Sequence, residues 1–357
     1  MGIRFERGNH KATNGPMFFF SILNDEVFEE EIRSAYLNGL SFYAYRYPGD
    51  SMFSYGSAEG FLEGLGEKGF VIGMFSPEHP IITIPYREIK TKNASGSLYN
   101  FPEKSVTKEE YCKEVEEIIK NLREGKGEKV VSARVEIREG EFDLAEKFYE
   151  LGRKFPSAFI FCFSTPATGC WIGASPELLL KGVDDKIYTM ALAGTRTAEG
   201  ERHWDIKNIE EQKMVTDYIT TVFERHHLDP IIGETHTIST GILEHICTPV
   251  SAEERGLDSL KLEEILKDLS PTPALCGLPK EFAMQLIKRL ESFDRGCYGG
   301  FCGPFHSVKD FTFHVTLRCA SITEKRICIY SGGGITSKSE PESEWEETQI
   351  KIKNTFG

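Results

Sequence analysis

The sequence predicts an α+β protein with largely antiparallel sheet, and three observations carry that prediction. Helical and strand-like segments mix along the chain without the strict strand–helix–strand alternation of a parallel sheet. Thr107 and Glu110 form a capping box ahead of Tyr111, Val115, Ile118, Ile119 and Leu122, which recur at helical spacing. Residues 311–322 and 326–330 read as two adjacent strands joined by a short polar turn.

The remaining elements follow in order. Within the first hundred residues, short apolar pieces at 17–23, 41–45 and 70–75 alternate with Gly, Pro and Asn and are read as strands and turns. Residues 129–137 form a Val-rich strand, 143–154 a helix, and 158–163, 170–173 and 178–192 further strands. Residues 204–225 are helical, with Ile209, Met214, Val215, Tyr218 and Val222 as the apolar stripe. Helices at 260–269 and 280–290 are bounded by prolines and glycines. The last helix starts at Pro341, a favoured first helical residue, and runs to Lys353. With no internal repeat and no low-complexity linker, a single domain over 1–357 is expected.

Composition narrows the function. Of 357 residues, 40% are hydrophobic and 27% charged, the profile of a soluble globular chain. No apolar run is long enough for a membrane span, and residues 1–16 have no apolar core of a signal peptide, so the cytoplasm is expected. A net charge of −13 argues against nucleic acid as a partner. It also means that an anionic substrate needs local cations or a metal to reverse the field. Nine cysteines without a CxxC pair read as small buried apolar groups in a reducing compartment.

Several segments can carry chemistry. Glu344 and Glu347 are three apart and Lys351 four further on, so all three share a helix face. Two carboxylates there suit a hard cation such as Mg²⁺; the bland alternative is an acidic first turn with a 347/351 ion pair. Gly332, Gly333 and Gly334 follow a strand and let backbone N–H groups approach an anion, or form a flexible turn. Pro176 fixes a turn that holds Glu177, by default on the surface. Lys129 opens an apolar strand, where it either snorkels to solvent or, buried, shifts toward an uncharged base. His226, His227 and His236 lack zinc spacing, and no Gly-x-Ser-x-Gly elbow occurs.

Eight ordered blocks resemble the chorismate-utilising enzymes, which include isochorismate, anthranilate, aminodeoxychorismate and salicylate synthases. They lie at 129–134, 173–179, 191–196, 243–249, 271–277, 293–300, 317–320 and 332–351. The resemblance covers 106–357, while 1–105 diverges. It implies one domain of two large antiparallel sheets packed together with helices outside. It further implies that Glu211, Glu344 and Glu347 hold Mg²⁺, which grips the ring carboxylate of chorismate. Arg318, Tyr298 and N–H groups of Gly332–Gly334 would take the second carboxylate. Gly194, Thr195, His245, Ala274 and Lys351 complete the implied substrate site.

Lys129 stands where the ammonia-using branch carries glutamine, and Ala193 where aminodeoxychorismate synthases carry a nucleophilic lysine. Ala274 stands where salicylate synthases carry threonine. These positions favour the isochorismate synthase branch, with salicylate synthesis as the alternative and a silent chorismate-binding regulator as a third reading. The implied mechanism has uncharged Lys129 activating water for attack at ring carbon 2. Protonated Glu177 then protonates the departing hydroxyl on carbon 4. A monomer is expected, with menaquinone synthesis as the expected use of the product and siderophore synthesis as the other.

Overall fold

The structure, a computed structural model, describes residues 25–86, 98–197, 203–240 and 243–357. The apolar piece at 17–23 lies outside the described residues. The chain opens with α1 (Asp25–Leu37), β1 (Ser41–Arg46), β2 (Ser54–Ala58), β3 (Leu62–Glu63), β4 (Gly69–Gly73) and β5 (Ile82–Pro85). It continues with α2 (Lys108–Arg123), β6 (Lys129–Glu139), α3 (Leu144–Lys154), β7 (Phe159–Thr165), β8 (Gly169–Ser175), β9 (Leu178–Val183) and β10 (Lys186–Thr197). Then come α4 (Ile206–Arg225), β11 (Ile231–Ile232), β12 (His236–Thr240), β13 (Leu243–Glu253), α5 (Ser259–Leu269), β14 (Gly277–Leu278) and α6 (Lys280–Leu290). The chain closes with β15 (Phe301–Ser307), β16 (Asp310–Val315), β17 (Cys319–Ile322), β18 (Arg326–Ile335) and α7 (Pro341–Phe356).

The strands form two antiparallel sheets. One has eight strands in the order β14-β6-β18-β17-β8-β7-β1-β2. The other has ten, in the order β11-β13-β10-β9-β16-β15-β4-β5-β3 with β12 added on β13. Side-chain alternation along β7 shows how they pack. Phe159, Phe161 and Phe163 enter the core shared with the second sheet, whereas Ile160 and Cys162 enter a separate core on the other face. Phe159 stacks on His314 of β16 at 4.2 Å, and Phe163 meets Phe70 of β4 at 6.0 Å. The outer core is capped by Ile32 of α1, Phe148 of α3 and Ile352 of α7. Each fully buried phenylalanine contributes roughly 1.5–3 kcal/mol, so both faces of this sheet are load on the fold.

Local rules explain most elements. The capping box is formed: Glu110 N–H donates to Thr107 Oγ1 and Thr107 N–H to Glu110 Oε2. All five apolar residues named for α2 are buried. In α4 the stripe is displaced. Val215, Ile219, Val222 and Phe223 are buried, but Ile209 is 51% exposed. The first turns of α4 overhang a cavity instead of the core, and Gln212 there donates to Thr248 and Thr216.

Three expectations are corrected. Residues 25–37, read as part of a strand-and-turn region, form α1, which buries Ile32 and Ala35. The run 311–322 is not one strand: β16 belongs to the ten-stranded sheet and β17 to the eight-stranded one. The chain changes sheet at residues 316–318, where Arg318 takes a left-handed conformation with φ of 44°. Finally, Gly332, Gly333 and Gly334 are not a turn but lie within β18, paired with Ala133, Ser132 and Val131.

Candidate active site

The two sheets leave a cavity of about 260 Å³ beside the end of β18. Its cause is a mismatch of strand lengths. β6 covers β18 from Arg326 to Ile335, but β17 covers only Ile327–Ile329. Past Ile329 the far edge of β18 is therefore uncovered by a strand.

The pleat decides which glycines present their backbone there. Opposite Gly334 the Val131 N–H donates to Cys276 O, and opposite Gly332 the Ala133 N–H donates to Glu291 Oε1. Neither residue is hydrogen-bonded across the ladder to its glycine, so Gly332 and Gly334 turn N–H and C=O away from β6. Lys351 Nζ uses this geometry, donating to Gly332 O at 2.8 Å. Gly333 turns the other way, toward β6. Gly332 and Gly334 line the cavity and Gly333 does not.

The carboxyl of Glu177 is buried. Its backbone is anchored by Val315 N–H donating to Glu177 O at 3.0 Å, just past the Pro176 turn. Burial pushes its pKa up to about 8, with the nearby charge of Lys129 pulling the other way. Lys129 is 2% exposed rather than snorkelling to solvent, and its Nζ lies 2.5 Å from Glu211 Oε1. Glycine is needed at 334 because a Cβ there would come within 2.6 Å of Lys129 Cε and 3.3 Å of Glu211 Oε1.

Another part of the lining is cationic. Arg318 sits at the sheet-to-sheet corner, where burial lowers its pKa to about 10 and leaves it charged at neutral pH. One of its guanidinium nitrogens lies 3.2 Å from His245 Nε2. Arginine only donates, so Nε2 accepts, and His245 Nδ1–H then donates to Gly194 O at 3.0 Å. Burial first, then the Arg318 charge, lower the His245 pKa to about 4, which keeps this tautomer neutral. The Tyr298 hydroxyl faces Gly332, where an added Cβ would stand 3.0 Å from it. Its ring stacks on Tyr330 at 5.7 Å. Ala274 also lines the cavity, and the side chain of Thr195 lies outside the described ones.

The three glutamates expected to share a metal divide. Glu211 and Glu347 line the cavity. Glu344 does not: its Oε2 would be 3.0 Å from a Cβ at Gly333, with the Tyr111 hydroxyl nearby. Consecutive strand residues aim Cβ at opposite faces, so Glu344 and Glu211 flank opposite faces of β18. Among the described residues no three His, Cys, Asp or Glu side chains gather closely enough to hold a metal ion. Glu211 and Glu347 each have a lysine instead, Glu211 with Lys129 and Glu347 with Lys351 at 2.7 Å. Glu211 and Glu347 are hard oxygen donors of the kind a dication takes, whose remaining positions would fall to water or substrate.

Helix α7 is seated by Arg134 of β6, which is buried. It donates to Thr348 Oγ1 at 2.7 Å and Gln349 Oε1 at 2.8 Å, and its guanidinium lies 4.2 Å from the Trp345 ring centroid. The histidines set aside for zinc are occupied elsewhere: His226 pairs with Asp268 and His236 with Glu234 O. Asp205, Asn208, Tyr330 and Ser331 also line the cavity and were not singled out from sequence. Asp205 was findable as the N-cap of α4, accepting from Asn208 N–H. Tyr330 and Ser331 carry no signal except that they precede the glycines.

The two-sheet α+β fold thus encloses a cavity lined by an arginine, a lysine, outward-turned strand backbone and a buried carboxyl, groups suited to receiving an anion. Residues 83–356 match the family model described as chorismate binding enzyme, and the chain belongs to that family. It is 32% identical to the isochorismate synthase EntC of Escherichia coli over 216 residues, 57% of this chain and 55% of that one. The chain thus spans about half the length of the curated relatives it matches. The solved structure of MenF, the menaquinone-specific isochorismate synthase from Escherichia coli, superposes with a TM-score of 0.76 at 21% identity, covering 89% of each chain. Anthranilate synthase component I from Streptococcus pneumoniae gives 0.63 at 18% identity, covering 88% and 80%. At such identities these two show the shared fold. No helix among the described residues is long and apolar enough to cross a membrane.

Proposed function

We propose that this chain is an isochorismate synthase, converting chorismate to isochorismate. The observation that carries this reading is the burial of Lys129 and Glu177 together beside one cavity, the first paired with Glu211 and the second a carboxyl whose pKa burial raises to about 8. Arg318 and Tyr298 take one carboxylate of the dianion, as a bidentate fork and a hydroxyl do well. The N–H groups of Gly332 and Gly334 point to the same space. Lys129, in its uncharged form, takes a proton from water as that water attacks ring carbon 2, and Glu177 gives its proton to the hydroxyl leaving carbon 4. Water enters and water leaves, so the product is an isomer.

Glu211 and Glu347 would hold a divalent cation, magnesium by the oxygen chemistry of the pair, with Glu344 adding charge from the far face. Such an ion supplies a Lewis-acid grip on a substrate carboxylate in a protein of net charge −13. Ala274 at the cavity wall favours isochorismate over salicylate as the released product.

The test is chromatography of chorismate incubated with the protein and Mg²⁺. Isochorismate alone is expected; salicylate with pyruvate assigns the chain to the salicylate branch, and unchanged chorismate overturns the reading. Lys129→Gln and Glu177→Gln should each lose turnover by at least about 10²-fold while staying folded. Neighbouring genes distinguish menaquinone from siderophore use.

A further inference from the structure

Helix α4 carries Glu211 to the cavity, yet its early turns lack the apolar packing that usually seats a helix. From Ile206 to Met214, Gln212 is the one buried side chain among the described ones, at 6% exposed, and the apolar stripe is buried only from Val215 on. A buried primary amide needs partners for its N–H groups, and here both are used. Gln212 Nε2 donates to Thr248 Oγ1 of β13 and, at 3.0 Å, to Thr216 Oγ1 one turn further along α4. Thr216 Oγ1 in turn donates to Gln212 O at 3.2 Å, and Thr248 Oγ1 pairs with Thr235 Oγ1 at 2.8 Å.

Two consecutive residues of α4 thus reach different sheets. Glu211 meets Lys129 on β6 of the eight-stranded sheet, whereas Gln212 is tied to β13 of the ten-stranded one. The position of this one helical turn between the sheets therefore decides where the Glu211 carboxylate stands. A hydrogen bond to a strand hydroxyl fixes that position in distance and direction, which the exposed Ile209 beside it does not. We infer that Gln212 is a positioning residue, which through its bond to Thr248 holds Glu211 where a divalent cation can take it. This rests on the cation site proposed above and gives that site a support outside its two carboxylates. Metal-binding carboxylates depend on such outer supports, whose loss costs about 10- to 100-fold in metal affinity.

The experiment titrates Mg²⁺ alone, by calorimetry, into wild type, Gln212→Met, Thr248→Val, Thr248→Ser and the double variant Gln212→Met with Thr248→Val, and records each melting temperature. Methionine keeps the length of Gln212 and valine the shape of Thr248, so each breaks the bond with little change of volume. Each single variant should bind Mg²⁺ about tenfold more weakly than wild type. The double variant should lose no more than about tenfold, because both changes remove the same bond. Thr248→Ser, which keeps the hydroxyl, should stay within about twofold of wild type. Unchanged Mg²⁺ affinity in Gln212→Met and Thr248→Val overturns the inference while leaving the proposed function standing, and a lowered melting temperature beside it assigns the amide to stability alone. Losses that multiply to about a hundredfold in the double variant overturn the inference too. Should Gln212→Met fail to fold, Thr248→Val, which leaves the bond to Thr216 in place, carries the test. A folded wild type that takes up no Mg²⁺ overturns the cation site and this inference together.

Discussion

Alanine substitutions along the three glycines of β18 test the pleat that builds the site. At Gly334 an alanine Cβ would lie 2.6 Å from Lys129 Cε. A relaxed carbon–carbon contact needs about 3.6 Å, so the lysine arm must retreat by about 1 Å. The glycine's φ is not in the left-handed region, so the backbone accepts alanine and the strain falls on the side chain. A catalytic group misplaced by about 1 Å costs on the order of 10² in rate. Gly334→Ala should therefore lower kcat about 100-fold with the fold retained. Gly333→Ala is the control: its Cβ meets Glu344 Oε2 at 3.0 Å on the opposite face, a contact that a small carboxylate shift relieves. It should stay within a few-fold of wild type. Steady-state kinetics of the two variants, with circular dichroism to verify folding, decide the matter. Near-normal turnover in Gly334→Ala, or equal damage from Gly333→Ala, refutes the assignment of faces.

Two further predictions address charge and capping. Glu177 titrates at about 8 in the fold against an ordinary 4.5, so the folded state binds this proton more tightly than the unfolded chain. Its stabilisation is complete below about pH 4.5 and is lost as pH rises through 8. Urea unfolding at pH 6 and pH 9 should show Glu177→Gln gaining on wild type at the higher pH by the order of a few kcal/mol; parallel curves would contradict the buried, protonated carboxyl. Lys280 donates to the carbonyls of Lys267, Asp268 and Ser270 at 3.0, 2.8 and 2.9 Å, capping the end of α5. Lys280→Met should cost about 2–3 kcal/mol in denaturant unfolding with kcat unchanged, and an unmoved midpoint would show that the cap is dispensable.

The grouping of the site residues was legible where parts of their scaffold were not. Lys129, Glu177, Glu211, Arg318 and Tyr298 stand in blocks or positions whose resemblance carried their roles, and the fold places them around one cavity or, for Lys129, against its wall. Spacing put Glu344 and Glu347 on one helix face, and both do project toward β18. A helix face is wide enough, however, to meet both sides of a strand edge, and only the register of β18 shows that Glu344 lands behind Gly333. Three glycines read as a turn because glycine weakens strands; pairing with β6 over the whole of β18 overrides that preference. The 311–322 run kept strand character through Val315 and again from Cys319, so nothing local marked the change of sheet at Arg318. His245 illustrates the limit most clearly: its place in a block was visible, but its task of accepting from Arg318 while donating to Gly194 O depends on three segments meeting.

Water enters one ring carbon and leaves another in this account, so isotope transfer measures its central claim. Chorismate turned over in H₂¹⁸O, quenched early and analysed by mass spectrometry, should give isochorismate carrying one ¹⁸O at the carbon 2 hydroxyl. Isochorismate formed without label would mean that the original hydroxyl migrated, and the roles given to Lys129 and Glu177 would fall with it.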